Sequence, residues 1–403
     1  MEADVAKCVA DVDGLIADGQ WSECISLCER IKGIVEHEQL PLRVWLDVSR
    51  RQMYALGRLR RLNEIISCRR DVFSKLGGND DLYVVLGKRY GIRKDGCAVN
   101  TSFRSAGRSN FYACKHVVKT EDLTERIRIF EKCQGSHVRE AGAYRYMERY
   151  DVLTDGAFAR TPDLLGAVEA DVYEKIFLEH VRGRRARLAC LDYSQFGAAL
   201  AEVSLSRDPK RFRRLNASGE SNSSEYAGKP VKALGRFDVE QAKNVFRGRL
   251  GVQLDQCVAA IRDLLCARNR VEKVRQEMIG GFCHNDIGSG NVLVSEEGGP
   301  PYIFLDWANA GFNALGSDIG DVLGWPDFVA LDSKGERDLI EAKIRSGYAS
   351  QLANCGCFVT DEEIRISCSI HFLRKKLSTA LRERNFNLFC QVGEKARWLR
   401  QVI

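Results

Sequence analysis

The 403-residue sequence has no apolar run of about 18 residues, no Cys-x-x-Cys pair, no proline ahead of Pro41 and no large excess of either charge. Each absence excludes something. Without a long apolar run no membrane-spanning helix is expected. The opening MEADVAKCVADVDG sets acidic residues where a secretory leader needs basic ones and lacks the apolar stretch that should follow, so a cytoplasmic protein is expected. The fifteen cysteines come no closer than Cys24 with Cys28, one helical turn apart, and Cys355 with Cys357. Reduced, mostly buried thiols are therefore expected rather than zinc knuckles or a disulfide framework. A formal charge of +6 over this length gives little to nucleic-acid binding, and none is expected. What is present, 45% apolar residues with 9% aromatic, is enough for a real core and for two or three domains.

The missing early proline leaves residues 1 to about 76 free to read as helix, with Ile25, Leu27, Cys28 and Ile31 at helical spacing. ADGQWSECISLCERI and ALGRLRRLNEIISCRRDV each set a glycine just before an amphipathic run, thirty-eight residues apart from Gly19 to Gly57. This resembles tetratricopeptide-type helical hairpins. Two such hairpins bury too little by themselves, so the unit is expected to dock on the rest of the chain or on a protein partner; a plain helical extension is the alternative. The turn-rich LGGND ends it.

The most unusual chemistry lies in residues 281–307, GFCHNDIGSGNVLVSEEGGPPYIFLDW, which reads as a short apolar entry and a tight polar loop followed by strand, Gly/Pro turn and strand. An antiparallel hairpin with Ser295 facing Tyr302 sets Asn291 opposite Asp306, and opposed residues have Cβ atoms roughly 5 Å apart. Two hard oxygen donors at one point suit Mg²⁺. Asp286, five residues before Asn291, is placed to accept a proton from a substrate hydroxyl. The bland alternative is a surface hairpin whose Asn and Asp serve the turns.

These residues carry a resemblance. His284, Asp286, Asn291 and the Asp306-Trp307 pair, followed by GSDIGDVLGW with Asp318, are similar to the active-site signature of the aminoglycoside phosphotransferase and choline kinase group. The resemblance implies an α+β, bilobal protein-kinase-like fold, with a small β-rich N-lobe and a larger helical C-lobe, here preceded by an all-α helical-hairpin domain. It implies an ATP- and Mg²⁺-dependent phosphotransferase acting on a hydroxyl of a small molecule such as a sugar, amino sugar, amino alcohol or aminoglycoside. Asp286 would be the catalytic base, Asn291 and Asp306 the Mg²⁺ ligands, and His284 and Asp318 braces of the loop. The expected domains are 1–78, 79–183 and 184–403.

In the N-lobe order, strands near 98–104, 110–118 and 125–133 would hold a phosphate loop ending at Ser109 and Asn110, although RSAGRSN is not a GxGxxG loop and a simple hairpin turn reads as well. Lys132 on the third strand is the candidate phosphate-binding lysine, with Lys115 on the second as the alternative. Glu140, eight residues on in a helix, would pair with it, and Glu179 to Val181 would offer backbone groups to adenine. Residues 206–236, with eight basic and three acidic side chains from Arg207 to Arg236, read as a flexible basic insertion. Arg374, Lys375, Lys376, Arg382 and Arg384 form a basic cluster that could meet an anionic acceptor. A protein kinase is the weaker reading: Gly288 stands where its loop lysine would be, and Asp306-Trp307-Ala308 replaces Asp-Phe-Gly. A catalytically silent scaffold that binds proteins through its N-terminal helices is the remaining alternative.

Overall fold

The computed structural model describes residues 2–104, 110–120, 126–153, 156–205, 213–214, 237–249 and 251–403. They form two units, Met1–Ala141 with Asp163–Val181, and Gly142–Pro162 with Arg182–Ile403. The architecture is mixed α+β with an N-terminal helical segment. Ser109 and most of the basic stretch 206–236 lie outside the described residues.

Helices α1 (Glu2–Ala17), α2 (Trp21–His37), α3 (Leu42–Arg58) and α4 (Leu62–Lys75) open the first unit, each packed on the next. In α2, Cys24, Ile25, Cys28, Ile31 and Val35 are buried, the stripe that 3.6-residue periodicity aligns on one face. A fifth helix, α5 (Asp80–Tyr90), follows the LGGND turn. It buries only Leu82, Val85 and Leu86, too short a stripe to announce itself by periodicity.

Strands β1 (Cys97–Phe103), β2 (Asn110–Thr120) and β3 (Ile127–Gly135) come next. Helix α6 (Glu140–Arg149) and the short β4 (Ala159–Arg160) precede β5 (Leu164–Glu169) and β6 (Tyr173–Glu179). The sheet runs β1-β2-β3-β6-β5, antiparallel throughout. One face takes the N-terminal helices: Tyr112, Cys114 and Cys133 share a core with Trp45, Leu56 and Val72. Phe73 of α4 meets Phe103 and Tyr112 edge-on at 5.2 and 5.3 Å. Helices α3 and α4 thus carry the segment's contact with this sheet, while α1 and α2 pack on the neighbouring helices. Lys175 of β6, fully buried, donates to Leu76 O and to an Asp81 carboxylate oxygen, both at 2.5 Å, tying the α4–α5 corner to the sheet.

The second unit holds β7 (Gly183–Arg185), α7 (Tyr193–Ser204), β8 (Arg213–Arg214), α8 (Val239–Val245), α9 (Val252–Cys266), α10 (Arg268–Glu277), β9 (Ile279–Cys283), β10 (Val292–Ser295), β11 (Tyr302–Phe304), β12 (Gly311–Ala314), α11 (Ser317–Val322), α12 (Pro326–Val329), α13 (Lys334–Asn354), α14 (Asp361–Arg382) and α15 (Phe386–Val402). Its sheets are small, β4-β11-β10-β7 and β12-β9-β8. Helix starts follow side-chain chemistry. Asp192 accepts from the Ser194 and Gln195 amides ahead of α7, and Thr360 with Glu363 closes a reciprocal capping box at α14.

Glycines let these helices touch. A Cβ on Gly197 of α7 would lie 2.0 Å from Ile344 O, and one on Gly347 of α13 would lie 2.0 Å from Ser194 O. No two of the fifteen cysteines are joined, and ten are buried. Among the described residues no helix is long and apolar enough to cross a membrane.

Gly197→Ala should therefore lower the unfolding free energy by about 1–3 kcal/mol, the usual range for overpacking a tight contact. Gly14→Ala, at an exposed α1 position with nothing within 4 Å, should change it by no more than about 1 kcal/mol, and in the stabilising direction. Urea denaturation midpoints of the two variants check this, and equal losses would contradict the helix contact.

Candidate active site

The hairpin of residues 292–304 is antiparallel with Val292 opposite Phe304, Leu293 opposite Ile303 and Val294 opposite Tyr302. This corrects the expected register by one residue. Ser295 N bonds to Pro301 O, and Leu305 N bonds to Asn291 O, so Leu305 rather than Asp306 faces Asn291. The reason lies in the turn, where Gly298 and Gly299 both take positive φ (47° and 78°) and allow a tighter closure. A one-residue slip would send an extended Asp306 to the opposite face. The chain instead leaves the strand there: Asp306 is left-handed, φ 63° and ψ 68°, a conformation that aspartate tolerates better than bulkier residues. Asn291 and Asp306 thus both lie at one end of the ladder, just past its last pair.

Trp307 anchors that turn. It is fully buried, donates from Nε1 to Thr161 Oγ1 at 2.9 Å, and lies 4.5 Å from the His284 ring. His284 Nε2 donates to Leu305 O at 2.8 Å, which sets its tautomer. The Asp318 carboxylate accepts from the His284 amide at 2.8 Å and from the Asn285 amide at 2.7 Å, with Asn285 itself left-handed at φ 60°. Burial raises the Asp318 carboxyl above its ordinary range, against the pull of His284. The loop is braced at both edges of residues 284–291.

Asp286 is the open group of the loop, its side chain 43% exposed while His284, Asp318 and Asp321 are buried. One oxygen accepts from Asn309 Nδ2 at 3.1 Å; the other lies 3.2 Å from Lys375 Nζ. Asn291 Nδ2 donates to Asp286 O at 2.9 Å, which commits the amide nitrogen to the loop and keeps the amide oxygen for another partner. An amide oxygen and a carboxylate at the end of one hairpin form a hard-oxygen donor set that fits Mg²⁺.

Lys375 of α14 reaches this loop across 89 residues of sequence. Its ammonium contacts Asn285 O at 2.5 Å, Asp286 at 3.2 Å and Asp321 at 2.9 and 3.2 Å. Burial works against its charge, but the two carboxylates outweigh it and raise its pKa. Burial likewise opposes ionisation of Asp321, yet His371, 3.3 Å away, and Lys375 hold that carboxyl far below its usual range. Asp321 also accepts from the Ile287 amide at 3.0 Å.

Sequence reasoning placed Lys375 in a basic cluster facing an acceptor. The structure divides that cluster: Arg374 pairs with Glu272, Lys376 lies over Gly324, and Arg382 and Arg384 are exposed. Asn309, Asp321 and Lys375 as partners of the loop were missed. Only the i, i+4 pair His371 and Lys375 on one helix face hinted at a common target.

In the first unit, Lys132 of β3 and Glu140 at the start of α6 are both buried and joined at 2.6 Å. Gln134 Nε2 donates to Glu140 at 3.1 Å and to Glu174 at 2.9 Å, and Glu174 accepts from the Glu140 and Ala141 amides that begin α6. Lys115 lies on β2, opposite Phe130, and forms no ion pair among the described residues. Asn110 opens β2. At the end of β6 the Glu179 amide bonds to Asp163 O and the His180 amide to Arg128 O, so two of the backbone donors expected to face adenine are already engaged. Val181 is the last residue of the unit.

Among curated proteins, none matches this chain. Solved structures similar to it include a candidate fructosamine-3-kinase from Haemophilus somnus 129PT, 10% identical, covering 79% of this chain and 96% of its own, with a TM-score of 0.43. They also include a spectinomycin phosphotransferase in complex with ADP and spectinomycin, 16% identical over 80% and 93% with a TM-score of 0.42. A macrolide 2'-phosphotransferase from Brachybacterium faecium is 14% identical over 79% and 98%, with a TM-score of 0.41. These likenesses are distant, and the assignment rests on the family model that matches residues 154–348, a span that contains the whole loop and hairpin. Residues 154–348, which carry Asp286, Asn291 and Asp306, match the model of the phosphotransferase enzyme family.

Proposed function

We propose that the protein is an ATP- and Mg²⁺-dependent kinase that phosphorylates a hydroxyl of a small molecule. The observation that carries this reading is the exposed Asp286 carboxylate, held between Asn309 and Lys375 beside a hairpin end that bears Asn291 and Asp306. Asp286 orients the acceptor hydroxyl and takes its proton as the oxygen bonds to the γ-phosphorus and the β,γ-bridging bond breaks to release ADP. Asn291 and Asp306 would hold Mg²⁺, which supplies positive charge to phosphate oxygens when bound. Lys132, fixed by Glu140, contributes a further cation to the phosphates; Ser109 and Asn110 belong to the phosphate loop, and Glu179 to Val181 to the adenine contacts through backbone groups other than the Glu179 and His180 amides, which are engaged. Any protein partner of residues 1–78 would meet a helix surface that still exposes Ile34, Tyr54, Leu59 and Leu62.

Lys375 is a positioning residue in this scheme. A protein-kinase loop carries its lysine two residues after the aspartate, where Gly288 stands here, and α14 brings an ammonium to the same carboxylate from a distant part of the chain. Its bond to Asn285 O and its pairing with Asp321 fix the loop on both sides of Asp286.

Transfer of labelled phosphate from ATP across sugars, aminoglycosides and amino alcohols, read by mass, should yield a phosphorylated product. Asp286→Asn should lower kcat on that acceptor by at least about 100-fold. No product from any acceptor would favour the silent scaffold, and full activity in Asp286→Asn would remove the base assignment.

Lys375→Met should lower kcat by about 100-fold, the scale of a lost preorganised charge contact, with a smaller change in KM for ATP, and Lys375→Arg should recover part of it. The same variant carries a pH signature. Asp321 has a depressed carboxyl pKa in the folded state, so the stability it contributes is present above the unfolded value of about 3.9 and is lost as pH falls below it. The stability gap between wild type and Lys375→Met should be widest near neutral pH and narrow below about pH 4, measured by denaturant midpoints.

A further inference from the structure

A second chemical cluster lies in the first unit, in the core between the N-terminal helices and the sheet. Cys114 and His116 are two apart on β2 and so share a face; Glu131 of β3 is the register partner of Cys114. All three are 0% exposed. Phe73 of α4 lies over His116, with ring centroids 6.2 Å apart.

The three donor atoms converge. Cys114 Sγ is 3.3 Å from His116 Nε2, His116 Nε2 is 2.8 Å from Glu131 Oε2, and Sγ is 4.0 Å from Oε2. A triangle with those sides is acute, and the circle through its corners has a radius of about 2.0 Å, so one interior point lies within bonding distance of all three. Zinc takes imidazole nitrogen and carboxylate oxygen at about 2.0–2.2 Å and thiolate sulfur at about 2.3 Å. A small displacement of the ion out of the plane meets all three lengths.

The surroundings suit ligands. His116 Nδ1 lies 3.0 Å from Thr101 Oγ1, the outer hydrogen bond that leaves Nε2 as the donor to a metal. Tyr112 donates its hydroxyl to Glu131 Oε1 at 2.5 Å, which orients the carboxylate. Charge closes as well: one thiolate and one carboxylate offset a divalent cation, and neutrality is what full burial demands. The same cluster held only by protons is the rival arrangement.

We propose that Cys114 Sγ, His116 Nε2 and Glu131 Oε2 bind one zinc ion, a structural site that clamps β2 to β3 beneath α4. As the Zn–S bond forms, the thiol proton leaves to solvent; nothing is oxidised or reduced.

Full-length protein produced with zinc supplied, then passed over chelating resin, should retain about one zinc per chain by mass spectrometry, as a closed structural site does. Cys114→Ala and Glu131→Gln should lose it, while Cys133→Ala, a buried thiol on the same sheet outside the triad, should keep it. Stripping the ion should lower the melting temperature, and zinc alone should restore it. If the variants fail to fold, cobalt-loaded wild type gives the independent reading through a thiolate-to-cobalt charge-transfer band and tetrahedral d–d bands. Zinc content no higher in wild type than in Cys114→Ala, or a cobalt form without the thiolate band, would overturn the site in favour of a proton-linked network.

Discussion

Two carboxylates, Asp286 and Asp321, share one ammonium, and the geometry of the catalytic loop depends on that arrangement. Asp321 is buried and would be costly there alone. Lys375 and His371 keep it ionised, and in return it accepts the Ile287 amide, so the residue after Asp286 is pinned. Asp318 does the same for the residues before, through the His284 and Asn285 amides. The loop is thus held by carboxylates on one short helix, α11, and by a cation from α14. Because Asp318 and Asp321 are shielded from water, their contacts are better determined than those of surface ion pairs.

That cation can arrive only if α14 lies against α11, and the packing shows why it can. A Cβ on Gly320 would lie 2.4 Å from Cys368 O, and one on Gly324 would run into the Lys376 side chain. The GSDIGDVLGW segment therefore works in two ways: its aspartates brace the loop, and its glycines admit the helix that carries Lys375. A segment that looks like a signature in sequence is, physically, a contact surface with charge on one side and missing side chains on the other.

This division also explains what could be read beforehand. Asp286, Asn291 and Asp306 were legible because their spacing around a Gly/Pro turn constrains them locally, and the strands near 98–104, 110–118 and 125–133 were legible from alternation. The hairpin register was missed by one residue because the backbone of Gly298 and Gly299, not the strand pattern, sets where the turn closes. Lys375 was unreadable as a loop partner for a different reason: on a helix face it looks like any solvated basic residue, and only the tertiary fold selects it from Arg374, Lys376, Arg382 and Arg384. Helix α5 was hidden by its brevity. The coupling of Cys114 and His116 to Glu131 depends on strand register across a turn, which sequence spacing does not encode.

The two units solve a shared electrostatic problem by different means. In the first, Lys132 meets Glu140 at 2.6 Å, while the second carboxylate of that group, Glu174, is answered by Gln134 and by the amides that begin α6. Fixed dipoles finish the neutralisation, and no further cation is called for. In the second, Asp286, Asp306, Asp318 and Asp321 gather around the loop and its hairpin, and Lys375 contacts only two of them. Asp318 is answered by amides, as Glu174 is. Asp306 and the Asn291 amide stand together just past the hairpin's last pair, where the proposed divalent cation would complement the carboxylates gathered around the loop.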